Sequence, residues 1–425
     1  MNPSPAHVSI VMPTLNQQAF IGDAVRSVFA QPEVDELVVI DGGSADGTVQ
    51  ALAALADQHA GRLRWVSAAD SGPAQAVNRA VALARGSVIG WLNSDDLYTP
   101  GAVGRALAAL AALPGAVMVY GEGEHIDAAG APLGRYPTLP PATPIDAFAQ
   151  GCFICQPTAF FLRDVFIGLG GLDESLRAAF DFDLWLRLFK AQAGRIGCVP
   201  QVQALSRLHA GSITLRQRER VALEGMAVLH RHLGSAPPEW LLTCVAELCD
   251  AHPFEPQRTD LAPELQRLAT AAQPWLDAPG RARLQQRLQH DKALQLMSPD
   301  AWAGVMPDGW AGPSLGLRLR QGATPFTAIV LRCRHAQPQG GMLHIRAAGT
   351  GFGTQSWRVQ RPGPFALVIP VTDAQPGASL QCEIRCDDSF VPAAAEPGSG
   401  DMRQLCYLVD SCQLVKAPPG LQRAS

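Results

Sequence analysis

Over the first 120 residues, short apolar runs alternate with longer stretches in which apolar side chains recur every three or four positions. Residues 8–12 form a β-branched run that stops at Pro13, and Phe20, Ala24, Val25 and Val28 follow at helical spacing. Residues 37–40 read as a buried strand. Val49, Leu52, Leu55 and Ala56 read as a helix stripe, and residues 63–66 as another strand. A helix is expected over 73–85, with Pro73 in its first turn and Ser71 as its cap. Residues 87–92 are the next strand, and Pro100 opens an Ala/Leu-rich helix to Leu113. This repetition predicts an α/β fold with a mostly parallel sheet covered on both faces.

The pattern changes twice further on. Residues 215–297 are rich in Leu, Ala, Arg and Gln and helical in period. After Pro299, β-type runs at 315–319, 327–333, 342–346, 365–371, 380–385 and 405–409 are separated by Gly/Pro-rich turns. The expected organisation is an α/β catalytic domain at 1–215, a helical connector at 216–299 and an antiparallel β-sandwich at 300–425. The proline-rich stretch 138–144 reads as a loop or lid.

The polar punctuation of the first segment carries the chemistry. Pro13-Thr14-Leu15-Asn16, Asp41-Gly42-Gly43-Ser44, Asp70-Ser71-Gly72 and Asn93-Ser94-Asp95-Asp96 each follow an apolar strand. In a parallel sheet such strand ends crowd onto one edge, where ligands bind. Several carboxylates gathered there suit a nucleotide with a divalent cation, since Mg²⁺ and Mn²⁺ take carboxylate oxygens plus substrate phosphates. The plainer reading makes Asp95-Asp96 a cap for the following helix and Asp46-Gly47 a turn. Four polar strand ends together favour the site.

Composition narrows the field. At 425 residues the chain is long enough for two or three domains. Its 47% hydrophobic and 17% charged residues describe a globular protein, and its net charge is −4. Lys and Arg form no dense stripe, which argues against nucleic acid as a partner. The first residues carry no basic region leading into an apolar core, and apolar stretches are interrupted far short of membrane-spanning length. A soluble, cytoplasmic protein is expected, compatible with work at the inner face of a membrane. The ten cysteines are scattered and read as reduced thiols. Cys152-x-x-Cys155 has the internal spacing of a zinc site, but no second pair follows it.

The ordered motifs Met12-Pro-Thr-Leu-Asn-Gln17, Ile40-Asp-Gly-Gly-Ser-Ala-Asp-Gly-Thr48, Asp70-Ser-Gly72, Asn78 and Trp91-Leu-Asn-Ser-Asp-Asp96 resemble family 2 glycosyltransferases of the GT-A fold. So do Gly170-Gly-Leu-Asp-Glu174, the helix start at 180–188 and Arg207-Leu-His-Ala-Gly-Ser212, so that the resemblance covers about residues 8 to 215. It implies inverting transfer of a sugar from a nucleoside diphosphate-sugar to an acceptor hydroxyl on a glycan or lipid-linked molecule. By resemblance, Asp181 is the general base, Asp96 and His209 hold Mn²⁺ or Mg²⁺, and Asp95 contacts ribose. Pro13, Thr14, Asn16, Asp41, Asp70 and Asn78 fall where the nucleotide is cradled.

Asp183 is the rival base, with helix capping as its ordinary role. Arg207 and Ser212 are candidates for phosphate contacts. Three positions depart from the family pattern. Gly42 stands where many members read a uridine base with a second carboxylate, so the resemblance leaves the base open. Phe180 stands where a carboxylate often precedes the base, and Asn93 replaces an Asp of the metal motif. Two other readings are a carbohydrate-binding protein without activity and a sugar-1-phosphate nucleotidyltransferase. The latter would carry a Gly-rich basic loop after the first strand, which Pro13-Thr-Leu-Asn-Gln-Gln18 is not.

Overall fold

The computed structural model describes residues 7–209, 211–244, 262–290, 301–306, 308–321, 325–373, 375–395 and 399–416. The chain divides into two compact units, Met1–Trp240 and Leu241–Ser425.

The first unit is built on β1 (Val8–Thr14), α1 (Ile21–Phe29), β2 (Val34–Asp41), α2 (Thr48–Gln58), β3 (Leu63–Ser67), α3 (Pro73–Leu83) and β4 (Val88–Trp91). There follow β5 (Leu97–Tyr98), α4 (Ala102–Ala112), β6 (Met118–Ile126), β7 (Pro132–Arg135), β8 (Phe160–Leu162) and α5 (Arg163–Gly168). The unit closes with α6 (Phe180–Ala191), β9 (Ile196–Arg207), α7 (Ile213–Arg216) and α8 (Arg218–Leu233). One nine-stranded sheet runs in the order β3-β2-β1-β4-β8-β6-β9-β5, with β7 beside β6.

The half formed by β3, β2, β1 and β4 is parallel, as the strand–helix alternation predicts. Beyond it β8 runs antiparallel to both β4 and β6, so the sheet is mixed. The alternation of strand side chains explains the layers. Val8, Ile10 and Met12 of β1 pack with Ile21, Ala24, Val25 and Val28 of α1 in one buried cluster, which Ala102, Val103 and Ala106 of α4 extend. On the opposite face α3 lies against β1 and β2. β4 ends where Leu92 turns into polar Asn93, and its Gly90 is obligatory. A Cβ there would lie 2.7 Å from Ile10 Cδ1, from the Phe160 ring and from Tyr98 Oη.

Two local expectations change. Ser71 caps nothing: Gly72 precedes α3 with no side-chain cap, and the Ser71 N–H instead donates to Gln75 Oε1 at 2.9 Å. The 216–299 stretch is not one connector, because α8 belongs to the first unit and the helices Ala262–Ala272 and Ala278–His290 to the second. The expected helical pattern at 245–261 and the boundary near 299 lie outside the described residues.

In the second unit, eight strands form an all-antiparallel sheet. The predicted runs coincide with the strands Trp310–Arg320, Phe326–His335, Leu343–Thr350, Gly363–Pro370, Ser379–Cys386 and Tyr407–Lys416, those at 342–346, 365–371 and 405–409 overrunning them by one or two residues. The sequence reading missed Ala301–Val305 and Phe352–Val359. An isolated bridge between Phe352 and Val371 links the two ends of the sheet, closing it around Ile329, Leu331, Leu367 and Ile369. Among the described residues no helix is long and apolar enough to cross a membrane.

Candidate active site

The first unit holds a cavity of about 960 Å³ at the carboxyl ends of β1 and β4. Pro13, Thr14 and Asn16 line it from the end of β1, Asp70 from beyond β3, and Asn93, Asp95 and Asp96 from the end of β4. Asp181 enters from the start of α6, and Arg207 and His209 from the end of β9. Most of the residues singled out in the sequence thus meet in one place.

The loop after β1 is locked to the loop after β2. Asn16 is the only described non-glycine residue with positive φ, at 53°, a conformation Asn tolerates better than most. Its N–H donates to Ser44 Oγ at 2.7 Å, its Oδ1 accepts the Ala45 N–H at 2.9 Å, and the Gln17 N–H donates to Thr48 Oγ1 at 2.8 Å. Thr14 Oγ1 is buried with no hydrogen-bond partner in the protein, an orphaned hydroxyl at a cavity wall.

Two expected nucleotide contacts are spent elsewhere. Asp41 is fully buried and does not line the cavity. Its carboxylate accepts the Gly43 and Ser44 N–H groups and the Ser44 and Ser67 hydroxyls. Burial would raise its pKa, but these donors outweigh burial and hold it below the usual carboxylate value. Asp41 therefore builds the loop and leaves nothing for a ligand. Asn78 is likewise consumed: its Oδ1 accepts the Leu172 N–H at 2.8 Å while its Nδ2 donates to Leu172 O and to Glu174 Oε1. It pins the turn at 171–174, outside the cavity. Asp70 stays at the cavity, its pKa raised by burial against the opposing Gly72 N–H. A Cβ on Gly42 would meet Asp70 Oδ2 at 3.1 Å, so the glycine makes room for this carboxylate.

The paired aspartates sit in different surroundings. Asp96 is 3% exposed; its Oδ1 accepts the Arg207 N–H at 2.8 Å and its Oδ2 the Asn93 Nδ2 hydrogen at 3.2 Å. Burial, and then the neighbouring Asp95 charge, push its pKa well above the ordinary carboxylate value. Buried and doubly bonded, Asp96 anchors the end of β9 while still bordering the cavity. Asp95 Oδ2 instead meets His209 Nε2 at 3.0 Å. Phe20 steadies this pair, with the His209 ring 4.8 Å from its centroid and the Arg207 guanidinium 4.9 Å away over the same ring. Arg207 does not wait for phosphate: its Nε donates to Asp95 O and its Nη1 to the carbonyls of Asp127 and Ala128.

Asp181, second residue of α6, borders the cavity with its Oδ1 accepting the Phe182 N–H at 2.7 Å. Burial pushes its pKa up to about 6, with that N–H opposing the shift. Its charge also reaches Tyr136, Cys152 and Cys155, whose pKa values are raised primarily by burial, Cys152 to about 12. These are neutral thiols beside a carboxylate. Among the described residues no three His, Cys, Asp or Glu side chains gather as a metal cage.

Residues 9–168 match the family model for glycosyl transferase family 2. This segment, about two fifths of the chain, is similar to that family. The chain is 32% identical over 200 residues to the succinoglycan biosynthesis protein ExoU of Rhizobium meliloti (strain 1021), a match covering 43% of this chain and 57% of that protein. It is 31% identical over 182 residues to the chondroitin synthase of Escherichia coli, covering 43% of this chain and 26% of that enzyme. The match thus spans about half the length of the first relative and a quarter of the second. Among solved structures, S. aureus TarS 1–349 is 15% identical with a TM-score of 0.47, covering 68% of this chain and 86% of that one.

Within the first unit, Asp183 and the Asp181 it rivals are sorted by their surroundings. Asp183 is buried and bonds Arg187 Nε at 2.8 Å, His232 Nε2 at 2.8 Å and Arg231 Nη1 at 3.3 Å. It is an ion-pair hub between α6 and α8, not a cap and not a base. Four residues missed in the sequence also border the cavity: Arg177, Arg216, Arg218 and Arg220. Three of them form a local basic run, Arg-Gln-Arg-Glu-Arg at 216–220, directly after the His209 motif. That spacing was visible, and it qualifies the impression of a chain without basic clusters. Trp240, which faces Phe182 at 5.1 Å and donates to Ala149 O, adds an aromatic wall. No pattern in the sequence announces it.

Proposed function

We propose that this protein moves a sugar from a nucleoside diphosphate-sugar to an acceptor hydroxyl with inversion at the anomeric carbon. The observation carrying this reading is Asp181, a cavity carboxylate with no cationic partner among the described residues, raised to about 6, sharing one cavity with the Asp95–His209 pair. An alcohol is a weak nucleophile near neutral pH. Asp181 takes its proton as the acceptor oxygen bonds to C1; the C1–oxygen bond to the diphosphate breaks and its electron pair leaves with the nucleoside diphosphate. One base suffices, because attack opposite the leaving group needs no covalent sugar–enzyme intermediate.

Pro13, Thr14, Asn16 and Asp70 cradle the nucleotide in this reading, with the orphaned Thr14 hydroxyl as a ready donor or acceptor. By the resemblance, Asp96 and His209 would hold Mn²⁺ or Mg²⁺ with Asp95 beside them; because His209 Nε2 meets Asp95 and its Nδ1 accepts the Gly211 N–H, the imidazole would give up one of these bonds to do so. A cation held there would offset charge developing on the leaving diphosphate. Arg177, Arg216, Arg218 and Arg220 give the cavity mouth the positive charge an anionic donor requires. The acceptor is a growing polysaccharide or its lipid-linked precursor, the latter bringing the protein to a membrane surface. This choice follows the naming of the succinoglycan and chondroitin relatives.

The test is nucleoside diphosphate release from UDP-glucose, UDP-N-acetylglucosamine, a dTDP-sugar and GDP-mannose, with and without Mn²⁺. Release by wild type and a ~10²–10⁴-fold loss in Asp181→Asn at unchanged melting temperature are expected. No release from any donor, together with glycan binding, would move the protein to the carbohydrate-binding reading.

A further inference from the structure

The carboxylate of Glu224 does something its sequence position does not suggest. Glu224 lies in α8, yet it accepts three consecutive backbone N–H groups at the entrance to α6. Arg177 N–H reaches both of its oxygens, at 3.1 and 2.9 Å; Ala178 N–H reaches Oε2 at 2.7 Å and Ala179 N–H reaches it at 3.1 Å. Helix α6 has no cap of its own, since Ala179 precedes it and offers no side-chain acceptor. Of the three N–H groups only that of Ala179, the cap residue, is one a helix leaves without an intrahelical partner; those of Arg177 and Ala178 belong to the approach to α6, and a carboxylate on all three forms charge-assisted bonds. Here that carboxylate is supplied from a second helix, 45 to 47 residues further along the chain.

The consequence lies two residues on. Ala178, Ala179, Phe180 and Asp181 all border the cavity, so the backbone that Glu224 grips is the cavity wall carrying Asp181. Asp181 Oδ1 is occupied by the Phe182 N–H, which leaves the direction of Oδ2 to be set by the backbone beneath it. Glu224 itself is not a cavity-lining residue, and its side chain is 19% exposed. Arg220, one turn earlier in α8, stands 4.0 Å from Glu224 Oε1, a weak contact beside the four close ones.

We propose that Glu224 is a positioning residue for the general base: by holding the 177–179 backbone it fixes the direction in which Asp181 meets the acceptor hydroxyl. The inference rests on Asp181 acting as the base. A displacement of about 1 Å at a reacting group can cost on the order of 10²-fold in rate, so the grip on this segment bears on turnover and hardly at all on donor affinity. The acceptor side chain of Gln retains an oxygen able to receive these N–H groups; that of Ala does not.

The test uses the full chain and the variants Glu224→Ala, Glu224→Gln and Asp181→Asn. Each is assayed for nucleoside diphosphate release from the panel donor turned over by wild type, and for donor KM, UDP binding and melting temperature. Glu224→Ala is expected to lose about ten- to a hundredfold in kcat, with donor KM and UDP affinity within about twofold of wild type. Glu224→Gln is expected to recover most of that loss. Wild-type kcat in Glu224→Ala, with Asp181→Asn inactive, would overturn the positioning role and leave the base in place. Full turnover in Asp181→Asn would overturn the base assignment itself. If Glu224→Ala fails to fold, Glu224→Gln is read alone: a shift in donor KM as large as that in kcat, with a lower melting temperature, would make Glu224 a structural residue only.

Discussion

Neighbouring aspartates with the same chemistry are separated here by what surrounds them. Asp95 and Asp96 are consecutive, yet one meets an imidazole at the cavity and the other is sealed by the Arg207 N–H and the Asn93 amide. Their substitutions should therefore fail in different ways. Asp96→Ala leaves the buried Arg207 N–H without an acceptor and should cost roughly 1–3 kcal/mol in denaturant unfolding. Asp95→Ala should melt near wild type while losing any stabilisation by Mn²⁺ with UDP, because only ligand bound to the folded state raises its melting point. Asp181 makes a pH prediction with a definite sign. The base works only when ionised and its folded pKa is about 6, so turnover should rise with pH through that value and fall below it. A pH–rate profile with no acid limb near 6 would contradict the assignment.

At the scale of elements, α6 and α8 act as a pair. Glu224 joins the entrance of α6 to α8, and Asp183 joins the two helices again through Arg187, Arg231 and His232. Asp183→Ala should destabilise by about 3 kcal/mol, since removing one member of a buried ionic cluster strands the others. Burial alone would raise the Asp183 pKa, but His232 and Arg187 dominate and lower it. A lowered folded pKa gives stability that is present above the unfolded value of about 3.9 and lost as pH falls through the folded one. The stability gap between wild type and Asp183→Ala should accordingly narrow in urea titrations below about pH 4. In β4, Gly90→Ala forces a methyl group against Ile10, Phe160 and Tyr98 and should cost about 1–3 kcal/mol by the same measurement.

Over the whole molecule, the candidate site residues and the cavity all fall within Met1–Trp240, a compact unit with its own buried core. A chain ending at Trp240 should melt cooperatively and keep donor turnover; a loss of cooperative melting would show that this unit is not autonomous. Ending at residue 215 instead would remove Glu224, Arg231 and His232, and with them the support of α6.

Hydrophobic periodicity and strand-end punctuation were enough to find β1 to β4, the parallel half of the sheet and the edge where Thr14, Asp70, Asp95 and Asp96 gather, while Asp181 was pointed to by the family resemblance alone. These are local consequences of spacing: a period of two or of 3.6 decides which side chains share a face. The antiparallel insertion of β8 was not legible, because strand direction in a sheet depends on partners far along the chain. For the same reason spacing could not tell Asp95 from Asp96, or show that Asp41 is engaged within its own loop and with Ser67 and Asn78 by the turn at 171–174. The sequence determined which polar residues are brought to one edge of the sheet and roughly where they sit. The tertiary structure alone decided which carboxylates keep a free oxygen, since burial and hydrogen-bond partners are set by contacts between segments some 26 to 114 residues apart.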